Sequence, residues 1–287
     1  MDKNQTAVLL MHCEDQRGIL AEVTDFIMGN QGNIINLDQH VDSDDNRFYM
    51  RIEWELEHFI IPQNKIAEYF ETMIVSKFNA IHELHFLPKK INIALFVSQY
   101  SHCLLDILSR HESKEWKVNI KCIISNHEKF RGISEKFGIP FHYFPVKKAN
   151  KTELEAKELA LLKEHKVELI ILARYMQILS DDFCSNYPNQ IINIHHSSLP
   201  AFPGARPYES AHRRGVKFMG ATAHYVTTDL DEGPIIAQDV IHISHRDSIY
   251  DMKRKGRNIE KIVLANACWA HLNHQVLSYN NKTVVFD

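Results

Sequence analysis

The sequence predicts an α/β protein in two unlike domains, a ferredoxin-like βαββαβ unit followed by a larger unit with a mostly parallel sheet. Three observations carry this. Residues 1–87 place short apolar runs and two amphipathic segments in the order β-α-β-β-α-β. Beyond the polar linker at 88–90 (Pro88-Lys89-Lys90), residues 91–287 alternate apolar runs with helical periods, the pattern of strands covered on both faces. A chain of 287 residues, 45% hydrophobic and 24% charged, has enough apolar material for two cores.

In order along the first domain, "AVLLMHC" (Ala7–Cys13) reads as a strand. Gly18 to Asn30 reads as a helix with Ile19, Leu20, Val23, Phe26 and Ile27 on one face, and Gly32 suits the left-handed position after it. "NIINLDQHV" and "RFYMRIEWEL" flank the polar turn Asp42–Asn46 as a hairpin. A helix over 62–79 and the strand "AIHELHFL" complete the unit. In the second domain "INIALFVS" precedes a helix from about Ser101, and "VNIKCIIS" precedes another near Glu128. "FHYF" leads to a helix over Thr152–His165, with Leu154, Ala156, Leu159, Leu161 and Leu162 as its apolar residues. "VELIILA" runs into the turn Tyr175–Leu179, and "QIINI" runs into "HHSSLPAFPG". There Pro200, Pro203 and Gly204 impose a rigid, non-helical loop. "ATAHYV" has strand character, and "DLDEGP" is a turn-rich loop before another apolar run. No internal repeat or low-complexity segment interrupts this order.

Charge and cysteine content exclude several classes. A formal net charge of −3 gives no electrostatic reason to expect nucleic acid or an anionic membrane as partner. No run approaches the roughly 18 apolar residues of a membrane span, and "MDKNQTAVLLMHCED" is a poor signal peptide, so the cytoplasm is expected. The 5 cysteines are odd in number and form no CxxC pair, which argues against a disulfide framework or a thiolate zinc site. Neither a P-loop, a GxGxxG turn nor a GxSxG elbow is present. Ser197 and Ser198 therefore read as loop hydroxyls, and His242 and His245 as strand-end or surface residues.

Polar side chains at the mouth of a buried parallel strand mark where α/β proteins place their sites. Asn193, His195 and Asp231 supply an amide, an imidazole and a carboxylate that loops at two strand ends can bring together. That set suits attack on a carbonyl, with the amide and imidazole holding an oxyanion and the carboxylate tuning the imidazole. Two readings compete with it. Asn193 and Asp231 can merely cap loop backbone, or His195, His196 and His224 can gather a metal, although no HxxxH helix accompanies them.

"NIHHSSLPAFPGARPYESAHRRGVKFMGATAHYV" followed by "LDEGPIIAQDV" resembles the folate-dependent formyltransferase superfamily, whose signature is NxH, SxLP and a later LDxGP loop. The resemblance implies a mostly parallel Rossmann-like domain and a catalytic triad at Asn193, His195 and Asp231. It implies that "ARYMQIL" (Ala173–Leu179), through Tyr175, Met176, Gln177 and Leu179, and the segment carrying Thr227 and Thr228 hold a pterin. No metal and no cofactor are implied, since 10-formyltetrahydrofolate is itself the substrate. "EDQRGILAEVTDFI" followed by "NQGNIINLDQ" resembles an ACT module, with Asp15, Gly18 and Asn33 where such modules bind a small amino acid between paired domains. An effector such as glycine or methionine and a homo-oligomer, a tetramer built as a dimer of dimers, are implied. An assembly module without ligand remains an open alternative.

The two domains together resemble the 10-formyltetrahydrofolate hydrolases of one-carbon metabolism and purine biosynthesis, which implies release of formate. Asn258 departs from that family's usual Asp. Transferases of the superfamily pass the formyl group to an amine and grip a phosphate with a glycine-rich first loop. Here the equivalent "VSQYSHCLLDIL" has no glycine between Ile91 and Gly132, and Gln99, Tyr100 and His102 would crowd a phosphate. Water is the expected nucleophile. Transfer to an amine such as glycinamide ribonucleotide, and a non-catalytic amino-acid sensor, are the alternatives.

Overall fold

The computed structural model describes residues 5–147, 149–200 and 207–286. The chain forms two compact units, one reaching to Lys89 and one beginning at Lys90. Pro203 and Gly204, read above as loop-stiffening residues, lie outside the described residues.

In the first unit β1 (Thr6–Glu14), β2 (Asn33–Asp42), β3 (Arg47–Glu55) and β4 (Ile81–Leu87) form an antiparallel sheet in the order β2-β3-β1-β4. Helix Ile19–Gly29 buries the stripe Ile19, Val23, Phe26 and Ile27, whereas Leu20, expected on that face, is exposed, and the left-handed position after the helix falls on Gln31 (φ 61°) and not on Gly32. The second helix differs from expectation in one respect. Gln63–Phe70 passes through a π-helical turn, Glu71–Val75, before ending at Ser76–Phe78. Leu9, Met11, Met50, Ile52 and Trp54 meet Ile66 and Phe70 in the core.

The sequence reading ends this unit at residue 87, but Asn273–Leu277 and the end of the chain from Val284 belong to it as well. Buried Arg51 is the physical reason. Its Nε donates to the His274 carbonyl at 3.0 Å and its Nη2 to the Asn273 carbonyl at 3.3 Å, while His85 stacks on His274 at 3.6 Å.

In the second unit the strands are β5 (Ile91–Val97), β6 (Val118–Ser125), β7 (Phe141–Tyr143), β8 (Leu169–Leu172), β9 (Ile191–His195), β10 (Phe218–Tyr225) and β11 (Ile235–His242). Their order is β11-β10-β9-β8-β5-β6-β7. β5 to β9 run parallel, and β10 and β11 add an antiparallel edge. The order reverses at β5, with β6 on one side and β8 on the other, which opens a crevice at the carboxyl ends of those strands.

Helix Lys151–Glu164 sets Leu159, Leu161 and Leu162 against the core but buries two charged residues there as well. Ala156 is exposed, and the buried positions are Glu155, Glu158 and Leu162. Helix Ile249–Leu272 was not resolved into an element by the sequence pattern, nor were the short helices Asp181–Ser185 and Pro207–Arg214 or the hairpin Val276–Tyr279 and Lys282–Val285.

Candidate active site

Strand register assembles the site. On β9, Asn193 and His195 are two residues apart and share a face. The antiparallel pairing with β10 sets His224 opposite Asn193 and Thr222 opposite His195. The chain leaving β9 is held by buried Thr222, whose Oγ1 donates to the Ser197 carbonyl at 2.8 Å and accepts the Leu199 N–H at 3.0 Å. Gln238 Nε2 donates to the same hydroxyl at 2.9 Å and to the Leu199 carbonyl at 3.0 Å.

The carboxylate comes from the loop between β10 and β11. Asp231 has left-handed backbone (φ 58°), two residues before Gly233. A Cβ on Gly233 would fall inside the van der Waals radius of the Tyr225 carbonyl oxygen, so only glycine lets this loop close on β10. Closure puts Asp231 Oδ2 at 3.1 Å from His195 Nδ1 and Oδ1 at 3.6 Å from His224 Nε2. Burial alone would raise the Asp231 carboxyl. The hydrogen bond from His195 Nδ1–H and the His195 charge lead the opposing causes, and they hold the group well below the usual carboxylate range.

These contacts fix the roles of the ring nitrogens. His224 Nδ1 lies 2.8 Å from the Tyr225 carbonyl, which only accepts, so Nδ1 carries the proton and Nε2 accepts from Asn193 Nδ2 at 3.2 Å. His195 Nδ1–H points to Asp231. His195 Nε2 is buried and has no hydrogen-bond partner among the described residues.

This constellation borders a cavity of about 240 Å³. Every residue that the sequence assigned to the pterin pocket, Tyr175, Met176, Gln177, Leu179, Thr227 and Thr228, lines it, together with Asn193, His195 and Asp231. The turn 175–179 is held from behind, because Met176 N–H donates to Ser98 Oγ at 3.0 Å and Ser180 N–H to Glu155 Oε1 at 3.0 Å. Burial and the charge of Glu155 push Glu158 up to about 8, and burial with Glu158 raises the Tyr175 phenol.

Other candidate residues fall elsewhere. Gln99 turns away from the cavities toward His127, 3.3 Å off, whereas Tyr100 and His102 do line a second cavity. Asn258 is exposed and borders neither cavity, and His242 and His245 are exposed. In the first unit the three effector candidates do not meet within one chain. Register pairs Glu14 with Arg47 and Asn33 with Glu55, so Asn33 lies at the opposite end of the sheet from Asp15 and Gly18.

Sequence reasoning missed His224 as a partner of the triad, although β10 opposite β9 was the signal available. It also missed Arg174 and Glu260, and it weighed His196 only as a metal ligand. Glu260, a charged residue among Ile259, Val263 and Leu264 on a buried helix face, was the visible hint. His102, Cys103 and Glu260 form a three-donor group, but they do not suit a metal. Burial, and to a lesser degree the Glu260 charge, pushes the Cys103 thiol well up, and both Glu260 oxygens already accept from Tyr208 and His102.

Residues 91–268 match the formyl transferase family and residues 7–53 match the ACT domain. The chain is 50% identical over 284 residues to a formyltetrahydrofolate deformylase of Synechocystis sp., covering 99% of each chain. It superposes on the crystal structure of a formyltetrahydrofolate deformylase from Pseudomonas syringae pv. tomato with a TM-score of 0.96, at 42% identity, covering 100% of this chain and 96% of that one. Against a glycinamide ribonucleotide transformylase of Symbiobacterium toebii the TM-score is 0.65, at 27% identity, covering 71% of this chain and 98% of that one.

Proposed function

This chain belongs to the formyltetrahydrofolate deformylases, which hydrolyse 10-formyltetrahydrofolate to formate and tetrahydrofolate, and we propose that Asn193, His195 and Asp231 carry out the hydrolysis. The observation that carries this assignment is the unpartnered, buried Nε2 of His195, backed by Asp231 on its other nitrogen.

In this reading the pterin enters between the turn 175–179 and the loop 227–231, which brings the formyl carbon beside His195. Asp231 Oδ1 orients the attacking water. Its depressed affinity for protons makes it a poor base, so His195 Nε2 takes the water's proton while Asp231 stabilises the imidazolium. Water oxygen bonds to the formyl carbon. The second N–H of Asn193, whose first is held by His224, steadies the oxyanion. His195 then gives its proton to N10 as the C–N10 bond breaks. Tetrahydrofolate departs, and the remaining acid ionises to formate.

Formyl transfer to an amine is the competing chemistry in this superfamily. The purified protein, given 10-formyltetrahydrofolate with and without glycinamide ribonucleotide, is expected to yield formate equal to the tetrahydrofolate formed in both cases. Formylated acceptor appearing in place of formate would move the reading to transfer.

For the first domain we propose an amino-acid effector, glycine or methionine, at the turn holding Asp15 and Gly18, where φ is 94° at Gly18, and a homo-oligomer assembled through this domain. Calorimetric titration with each amino acid, wild type against Asp15→Ala, tests the site. Equal heats from both proteins would remove it. The reading keeps the enzyme in the cytoplasm. Its cysteines Cys13, Cys103, Cys122, Cys184 and Cys268 are free and buried, and no helix among the described residues is long and apolar enough to cross a membrane.

A further inference from the structure

Next to the catalytic cavity lies a second one of about 150 Å³, bordered by Tyr100, His102, His196, Tyr208, Lys253 and Arg257. Arg174 lines both. Its side chain is only 7% exposed, and its backbone is left-handed (φ 65°), a conformation that side-chain-bearing residues rarely adopt. The Tyr100 ring covers the guanidinium at 5.1 Å.

Arg174 Nε and Nη1 are buried and hydrogen-bond to nothing among the described residues. Glu260 does not answer them. Its Oε2 is 3.4 Å from Arg174 Nε in an ion pair, but that oxygen accepts from His102 Nε2 at 2.7 Å, and Oε1 accepts from the Tyr208 hydroxyl at 2.6 Å. Gly256 permits this, since a Cβ there would collide with the Tyr208 hydroxyl. A buried guanidinium with unused donors is costly until a ligand meets them.

The charges define the ligand. Arg174, Lys253 and Arg257 face Glu209 and Glu260, and Lys253 pairs with Glu209 at 2.8 Å. Among the described residues, three cations against two carboxylates leave one positive charge, which a monoanion balances. Burial and the Arg174 charge lower His196 to about 4, so it adds no charge near neutrality. A carboxylate oxygen matches either unpartnered guanidinium donor, each N–H offering one charge-assisted hydrogen bond. The space of about 150 Å³ accommodates a three-atom anion with water.

We propose that the second cavity holds formate after the C–N10 bond breaks, with Arg174 receiving the carboxylate from the catalytic cavity. The inference rests on the hydrolase reading above. It gives the product an exit distinct from that of the bulky pterin and frees His195 for the next water. Formate bound there inhibits the enzyme.

The test titrates ¹³C-formate onto the purified full-length protein without folate and follows its NMR line width. Saturable broadening is expected, and Arg174→Met is expected to weaken the affinity on the order of tenfold or more. Arg174→Lys retains part of it. Arg257→Gln, at an exposed position that does not threaten the fold, weakens it severalfold, and Asp231→Asn leaves it within about twofold. Nitrate, another planar monoanion, competes. Formate that does not bind, or that binds folded Arg174→Met and Arg257→Gln as it binds wild type, overturns the proposal. Inorganic phosphate displacing formate at lower concentration than nitrate also overturns it, in favour of a phosphorylated ligand. Formate release from 10-formyltetrahydrofolate by the wild type separates the two readings. Release with Arg174-independent formate binding sinks this inference alone, whereas Arg174-dependent binding without release sinks the hydrolase reading and the product role with it.

Discussion

His195 faces two ways: its Nδ1–H is committed to Asp231 at 3.1 Å, and its Nε2 meets the cavity without a partner. A histidine held like this has one tautomer when neutral and can pass a proton through a single atom. Replacing it with alanine is expected to lower turnover by roughly 10²–10³, with folate affinity measured by fluorescence quenching little changed. Loss of binding and turnover in parallel would make His195 a structural residue instead. The three triad members were legible in the sequence because an amide, an imidazole and a carboxylate recur in a loop pattern with a known family signature. His224 was not, since its role comes from lying opposite Asn193 across two strands. Arg174 was hidden for a related reason. Nothing in "LARYM" says that its guanidinium turns inward, and only the burial and the positive φ reveal it.

At the scale of elements, loop closure and the support behind the pterin-side turn decide whether those side chains meet. Gly233→Ala would drive a methyl group into the Tyr225 carbonyl and push Asp231 away from His195. Overpacking of this kind costs about 1–3 kcal/mol. A lowered melting temperature together with at least a tenfold drop in kcat is expected, and an unchanged kcat would show that the loop closes by another route. Glu158 gives a prediction with the opposite sign. Its proton affinity is raised, to about 8, so its contribution to stability is fully present below the ordinary value of about 4.3 and is lost as the pH rises through about 8. Glu158→Gln, which keeps the neutral shape, is therefore expected to gain stability over wild type increasingly between those limits. Chemical denaturation at pH 5 and pH 8 checks this, and an equal difference at both would contradict it. Alternating patterns made the strands readable. They are silent on the buried Glu155 and Glu158 of helix Lys151–Glu164, of which Glu155 holds the end of the 175–179 turn, a tertiary use of charge that apolar periodicity does not encode.

Across the whole molecule each unit carries a buried histidine whose proton affinity is depressed to about 4, His12 in the first unit and His196 in the second. Burial is the leading cause for both, followed by Arg47 for His12 and by Arg174 for His196. A depressed value means that the unfolded chain takes up protons first. Stability from these sites is intact above about pH 6.5 and declines as the pH falls toward about 4. Calorimetry over that range should show both units losing stability, with His12→Gln and His196→Gln each flattening the decline. The two-domain order was legible from the change of pattern after residue 90. The return of Asn273–Leu277 to the first unit was not, because it depends on Arg51 finding backbone carbonyls more than two hundred residues away.

The central claim is that this chain hydrolyses 10-formyltetrahydrofolate through Asn193, His195 and Asp231. The most direct measurement is formate release without any acceptor, comparing wild type with Asp231→Asn at equal folate occupancy. The account predicts formate equal to tetrahydrofolate from the wild type and a loss on the order of 10² or more in the variant. Near-native release by Asp231→Asn would contradict it.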